Sequence, residues 1–250
     1  MKNILIATVG MAALLFAAAA PAQAQEGYVG GSYLSQQFDP GSVDADGWQI
    51  DGAVALDTGS EFGVALDAAI GDNDLPGSDT VVSVGGHVFG SSTDALFGGF
   101  VDYTDTGSNS SAWAFGGEGQ FNFTGFTLAG SVGWVNLDGA YDDGWGAGAE
   151  ARVFATDNLR LSGNIGYADL NGATPAFDDN VWTFGVGGEW QPTSIPVSLV
   201  ADYAHSEFDR ANAEADTFRI GARYNFGGTL KSRSDSGADL LGSKFLGGIF

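Results

Sequence analysis

Two histidines, His87 and His205, are what the chain offers for general-base chemistry, which needs an imidazole within hydrogen-bond reach of a serine or aspartate. There is no cysteine, so thiol chemistry, cysteine acylation and disulfides are all excluded. What remains is charge, with 31 Asp and Glu against 9 Lys and Arg. Asp51, Asp57, Glu61, Asp67, Asp102, Glu118, Glu150, Glu189 and Asp202 share alternate positions with Arg152, Arg160, Arg219 and Arg223, among Gly, Ala, Ser and Thr. Such rows hold water, select ions or pair with one another. Further acids cluster between the alternating runs, for example Asp39, Asp44 and Asp46, or Asp138, Asp142 and Asp143. Carboxylates bind divalent cations, but none of these clusters has the spacing of a dedicated calcium loop, so they read as solvated turn residues. No metal and no cofactor is expected.

Only strands hold alternate residues on one face. The alternation predicts twelve of them, at 26–36, 47–57, 61–71, 79–89, 95–104, 111–121, 126–137, 144–154, 159–169, 180–190, 196–206 and 216–226. Each has the length a tilted membrane-spanning strand needs. The parity opposite the charged rows is apolar, as in Trp48, Ile50, Val54 and Leu56, or Phe126, Leu128, Val132 and Trp134. A soluble β-sandwich would alternate as well. Against it, no lysine occurs between Lys2 and Lys231, and the aromatics gather at both strand ends, where membrane–water boundaries favour them. Two strands fit poorly: the first can present either Val29 and Tyr33 or Tyr28 and Leu34 to lipid, with a bulge at Gly30-Gly31, and the fifth puts Phe100 on the polar side. On this parity His87 points inward and His205 lies at the opposite rim, which leaves them no shared site and argues against an enzyme.

Lys2, the apolar run from Ile4 to Ala20 and Ala22-Gln23-Ala24 read as a signal peptide over 1–24. Its removal leaves 8 basic and 31 acidic residues, a net charge of −23 that repels nucleic acid. The last alternating run places Arg219, Gly221, Tyr224 and Phe226 where the terminal-strand assembly signal of bacterial outer-membrane β-barrels has a polar residue, a glycine and closing aromatics, and it resembles that signal. The stretch GARYNFGGTLKSRSDSGADL is similar to the carboxyl end of small porin-like outer-membrane proteins of α-proteobacteria.

The expected fold is all-β: a closed antiparallel up-and-down transmembrane β-barrel of twelve strands over 25–226. A flexible periplasmic tail, 227–250, follows, with partial occlusion of the pore by that tail as the alternative. Placed by height, Asp51, Asp67, Asp102 and Asp202 form an acidic outer vestibule, while Glu118, Glu150, Glu189, Arg152, Arg160 and Arg223 form an inner constriction. Two functions fit. One is a porin-like channel for passive diffusion of small hydrophilic solutes with weak cation preference; the other is a non-conducting structural or interaction barrel whose lumen is plugged by Arg/Glu pairs. The partners implied are outer-membrane lipid and lipopolysaccharide, the barrel-assembly machinery and small hydrophilic solutes, in a Gram-negative outer membrane.

Overall fold

The computed structural model describes residues 25–41, 43–57, 61–75, 79–106, 110–138, 141–172 and 178–246; the expected signal peptide, like the side chains of Asp57 and Tyr141, lies outside them. The strands are β1 (Gln25–Asp39), β2 (Val43–Asp57), β3 (Phe62–Asn73), β4 (Val81–Ser91), β5 (Ala95–Asp105), β6 (Ser111–Asn122), β7 (Phe126–Asp138), β8 (Tyr141–Thr156), β9 (Leu159–Gly172), β10 (Asp179–Trp190), β11 (Val197–Phe208) and β12 (Ala213–Phe226). Each pairs antiparallel with its neighbours in sequence, and β12 pairs with β1, so the sheet closes and leaves no edge.

The alternation dictates which side faces out. Trp48, Phe62, Val88, Phe115, Val132, Leu161, Val186, Leu199, Ile220 and Tyr224 are all exposed on the outer surface. In water such a surface would be an aggregation site; around a closed barrel it is a membrane belt. Val54 and Val82 share the outward parity but are buried, Val54 packing with Leu56, Leu66, Val84 and Phe226.

In β1, Tyr33 is exposed, while Tyr28 is buried and points inward. The pairing of β1 with β12 runs unbroken from Gly27 to Asp39, so the expected bulge at Gly30-Gly31 is absent. The connections expected at 37–46, 138–143, 170–179 and 207–215 shrink, because the hairpins continue pairing beyond the apolar belt: Phe38 still faces Val43 and Phe208 still faces Ala213. Backbone pairing does not require apolar side chains, so the strands run past the point where the pattern stops.

The larger correction concerns the tail. Gly227 adopts φ +93°, a left-handed conformation that reverses the chain directly after Phe226 and that side chains resist. A short helix follows, α1 (Leu230–Asp235). Thr229 caps it, accepting from the Ser232 backbone N–H while the Ser232 hydroxyl accepts from Thr229 N–H. Residues 228–246 run inside the barrel and end in a 3₁₀ turn at Lys244–Leu246. They are not a free periplasmic extension; residues 247–250 lie outside the described residues.

Candidate functional site

The lumen is filled from the end at which Gln25 and Phe226 lie. Glu189 on β10 is 1% exposed and accepts from three guanidinium groups: Arg160 of β9 at 2.9 Å, Arg223 of β12 at 3.3 Å, and Arg233 of α1 at 2.8 and 3.0 Å. The Ser198 hydroxyl adds a fourth donor at 2.6 Å. Asp239 of the tail accepts from Arg160 at 2.9 Å and Arg233 at 3.2 Å, and its backbone carbonyl accepts from Arg152 at 2.5 Å. Arg152 also donates to Glu150 at 2.8 Å, to Gln120 and to the Ser234 hydroxyl. Arg233 further donates to the Asn225 side-chain carbonyl.

Burial alone would push the Asp239 carboxyl upward, yet Arg233, Arg160 and Arg152 hold it well below the usual carboxylate range. The balance of the cluster matters. The wall supplies Arg152, Arg160 and Arg223 against Asp51, Glu150 and Glu189, while the tail adds Arg233 and Asp239, which also bond each other. To this cluster the tail contributes a neutral pair, and the cluster's wall residues are balanced with or without it.

The expected division into outer vestibule and inner constriction does not hold. Asp51 joins the inner network, accepting from Arg223 at 3.0 Å and from the Tyr28 hydroxyl at 3.0 Å, with both Arg223 and Arg233 stacked over the Tyr28 ring. Asp67 and Glu118 flank one imidazole: His87 Nε2 lies 2.8 Å from Asp67 and Nδ1 lies 2.7 Å from Glu118. Asp202 pairs with Arg219 at 2.6 Å in a partly exposed bridge. Asp102 accepts from the Ser243 backbone N–H of the tail at 2.7 Å. Glu61 sits exposed, outside the lumen network. His205, at the far rim, contacts Asp216 and Glu207 and takes no part.

The assembly-signal residues divide. Tyr224 is outward and exposed, Phe226 closes β12 on the outside and Gly221 passes close to Ser32 of β1, while Arg219 points into the lumen. Ser198, Arg233 and Asp239 were not singled out by the alternation, and Tyr28, Gln120 and Asn225 were placed by it without a role. Arg233 carried a usable signal: it is a cation in a non-alternating segment beside a lumen with surplus acid.

Sequence reasoning also missed an apolar patch inside. Phe100, Val135, Leu137, Leu170 and Val181 cluster with Phe245 of the tail, and the Phe100 and Phe245 rings meet edge to face at 6.5 Å. This explains the misfit of β5, because Phe100 faces inward to meet the plug. Phe245 lies over Gly146, Gly148 and Gly166, and a side chain at Gly146 would collide with its ring. A second apolar set, Phe89 and Leu96 with Ala238 and Leu240, grips the tail nearer its start. Beyond the plug, a cavity of about 500 Å³ is bordered by Gln36, Gln49, Asp67, Asp202 and Thr217 on the wall and by Gly242–Phe245 below.

No protein-family model matches the sequence, and none of the curated proteins matches it. Solved structures do. The chain is similar to an outer membrane channel from Pseudomonas putida F1, with TM-score 0.58 and 13% identity over 82% of this chain and 96% of that one. It is similar to the translocator domain of autotransporter NalP from Neisseria meningitidis, with TM-score 0.56 and 15% identity over 90% of this chain and 98% of that one. The KdgM porin, solved with disordered oligogalacturonate, gives TM-score 0.55 and 12% identity over 79% and 99%. At these identities the likeness shows the fold, a β-barrel of the kind found in Gram-negative outer membranes, and with the apolar belt it locates the chain there.

Proposed function

We propose that this barrel is an outer-membrane channel for small hydrophilic solutes, weakly cation-preferring, and that its C-terminal segment closes it when docked and opens it when displaced. The observation that carries this reading is the composition of the plug contact. Arg233 and Asp239 enter the lumen as a neutral pair, and the wall retains three arginines against three acids without them. A displaced plug therefore leaves a polar wall, its inner cluster still paired, that water can occupy, next to a cavity of about 500 Å³. Buried ion pairs contribute little net stability because desolvation offsets their attraction, which suits a segment that must leave. The likeness of the carboxyl end to small porin-like proteins of α-proteobacteria argues in the same direction. Asp67 and Asp202, whose side chains are partly exposed at the cavity, would supply the cation preference.

The alternative, a non-conducting barrel, is favoured by the depth at which the plug is buried. Planar-bilayer recording separates the two. The full chain should conduct rarely, and a variant ending at Phe226 should conduct steadily, with cation preference reduced by Asp67→Asn and Asp202→Asn. A folded, truncated barrel that carries no current would establish the non-conducting reading.

A further inference from the structure

We propose that His87, Asp67 and Asp102 form a binding site for a divalent transition-metal ion of the zinc class, placed where the plug meets the wall. The three come from adjacent strands β4, β3 and β5, and their ligand atoms all lie within 4.8 Å of one another. His87 is 4% exposed, and its Nδ1 lies 2.7 Å from Glu118. A carboxylate that accepts from one imidazole nitrogen fixes the tautomer and turns the lone pair of the other outward, the arrangement that orients metal-binding histidines. The other nitrogen, Nε2, faces Asp67 at 2.8 Å.

Two further features point to a cation. The Asp67 Oδ2 and Asp102 Oδ1 atoms converge over Gly85 of β4, close enough that a side chain there would strike both. Asp102 Oδ1 is buried and has no hydrogen-bond partner. Two carboxylates and the Glu118 behind them, gathered on one buried imidazole, repel each other unless positive charge joins them. A protonated imidazole could supply one charge, but it would leave Asp102 Oδ1 unanswered. An ion at the centre answers Asp67, Asp102 and Nε2 together. One nitrogen and two oxygens match zinc-type coordination, with a fourth position open to water from the adjoining cavity, whereas calcium and magnesium prefer oxygen alone.

The site is tied to the tail. Gly242 N–H donates to Glu118 at 3.0 Å and Ser243 N–H donates to Asp102 Oδ2 at 2.7 Å, leaving Oδ1 free for the ion. Gly242 takes φ +51° and packs against both Asp102 and the His87 ring, a position only glycine fills without strain. An ion that immobilises Asp102 therefore steadies the loop resting on it. None of this requires that the lumen conduct.

The test uses the folded full chain in detergent, stripped with chelator and titrated with Zn²⁺ by calorimetry and with Co²⁺ by visible absorption. Expected are one saturable equivalent, a tetrahedral-type Co²⁺ spectrum, no competition by Ca²⁺, and a loss of roughly tenfold or more in affinity for His87→Gln, Asp102→Asn and Glu118→Gln. Heat-dependent gel migration reports whether each variant is a folded barrel; if His87→Gln fails to fold, the other two carry the test. Absence of saturable Zn²⁺ binding by folded wild type would overturn the site. So would affinity unchanged in the folded variants, which would place the ion on the loop acids instead.

Discussion

Three arginines converge on Glu189, and only one of them, Arg233, belongs to the tail rather than to the wall. Removing Arg233 leaves no wall charge unpaired, since Arg160 and Arg223 still face Glu189, although the Asn225 side-chain carbonyl loses a donor. The loss then falls on docking. Breaking a buried pair costs about 3–5 kcal/mol, and with two cations remaining the low end applies, about a hundredfold in the ratio of docked to displaced plug. Arg233→Ala should raise single-channel open time accordingly while the barrel keeps its heat-dependent gel migration. Arg219→Ala is the contrast: its bridge to Asp202 is partly exposed, worth about 0–1 kcal/mol, and open time should hardly change. Acid supplies a second probe. The Asp239 carboxyl is held below its ordinary value, so its contribution to docking is present above the unfolded value of about 3.9 and is lost only as pH falls through the lower folded value. Conductance should therefore stay flat between pH 7 and pH 5 if this group controls the plug, and Asp239→Asn should open the channel at neutral pH; a rise near pH 5 in the wild type would assign control elsewhere.

At the scale of elements, the plug is held by shape as much as by charge. Phe245 fills a seat made by glycines of β8 and β9 and meets Phe100 of β5. Phe245→Ala removes a buried ring worth about 3–5 kcal/mol, and Gly146→Val fills the seat from the wall side; both should free the tail. Trypsin reads this directly, since Lys231, Arg233 and Lys244 become cleavable when 228–246 leaves the lumen, and a cleavage rate equal to wild type would show that the seat does not hold the tail. The same contrast explains what the sequence disclosed. All twelve strands were legible, because side-chain parity is a property of each strand alone and the apolar set repeats without a charge. Strand ends were not, because hairpin pairing continues past the belt. The plug was invisible to periodicity: its helix spans only Leu230–Asp235, and what places it is Arg233 meeting Glu189 and Phe245 meeting Phe100, contacts between residues far apart in the chain. Phe100 itself was legible as a misfit and not as a contact.

For the molecule as a whole, the apolar side chains face outward and the charged ones inward, the inverse of a soluble protein, and that inversion can be tested without reference to transport. Val132 lies midway along β7, opposite Gly117 and Ala147, and is 54% exposed on the outer surface. In a membrane it meets acyl chains near the bilayer midplane, where arginine costs about 2–4 kcal/mol. In water the same substitution on an exposed strand position would be nearly neutral. Gln49 of β2 borders the lumen cavity, and arginine there meets water and the surplus acid of the wall. Val132→Arg should shift the urea midpoint of folding into lipid vesicles, followed by tryptophan fluorescence, by an amount equivalent to that cost, and Gln49→Arg should leave it almost unmoved. Equal effects from the two would mean that the belt is not in contact with lipid. The pair isolates the environment of each face, because both variants add the same side chain to the same kind of strand.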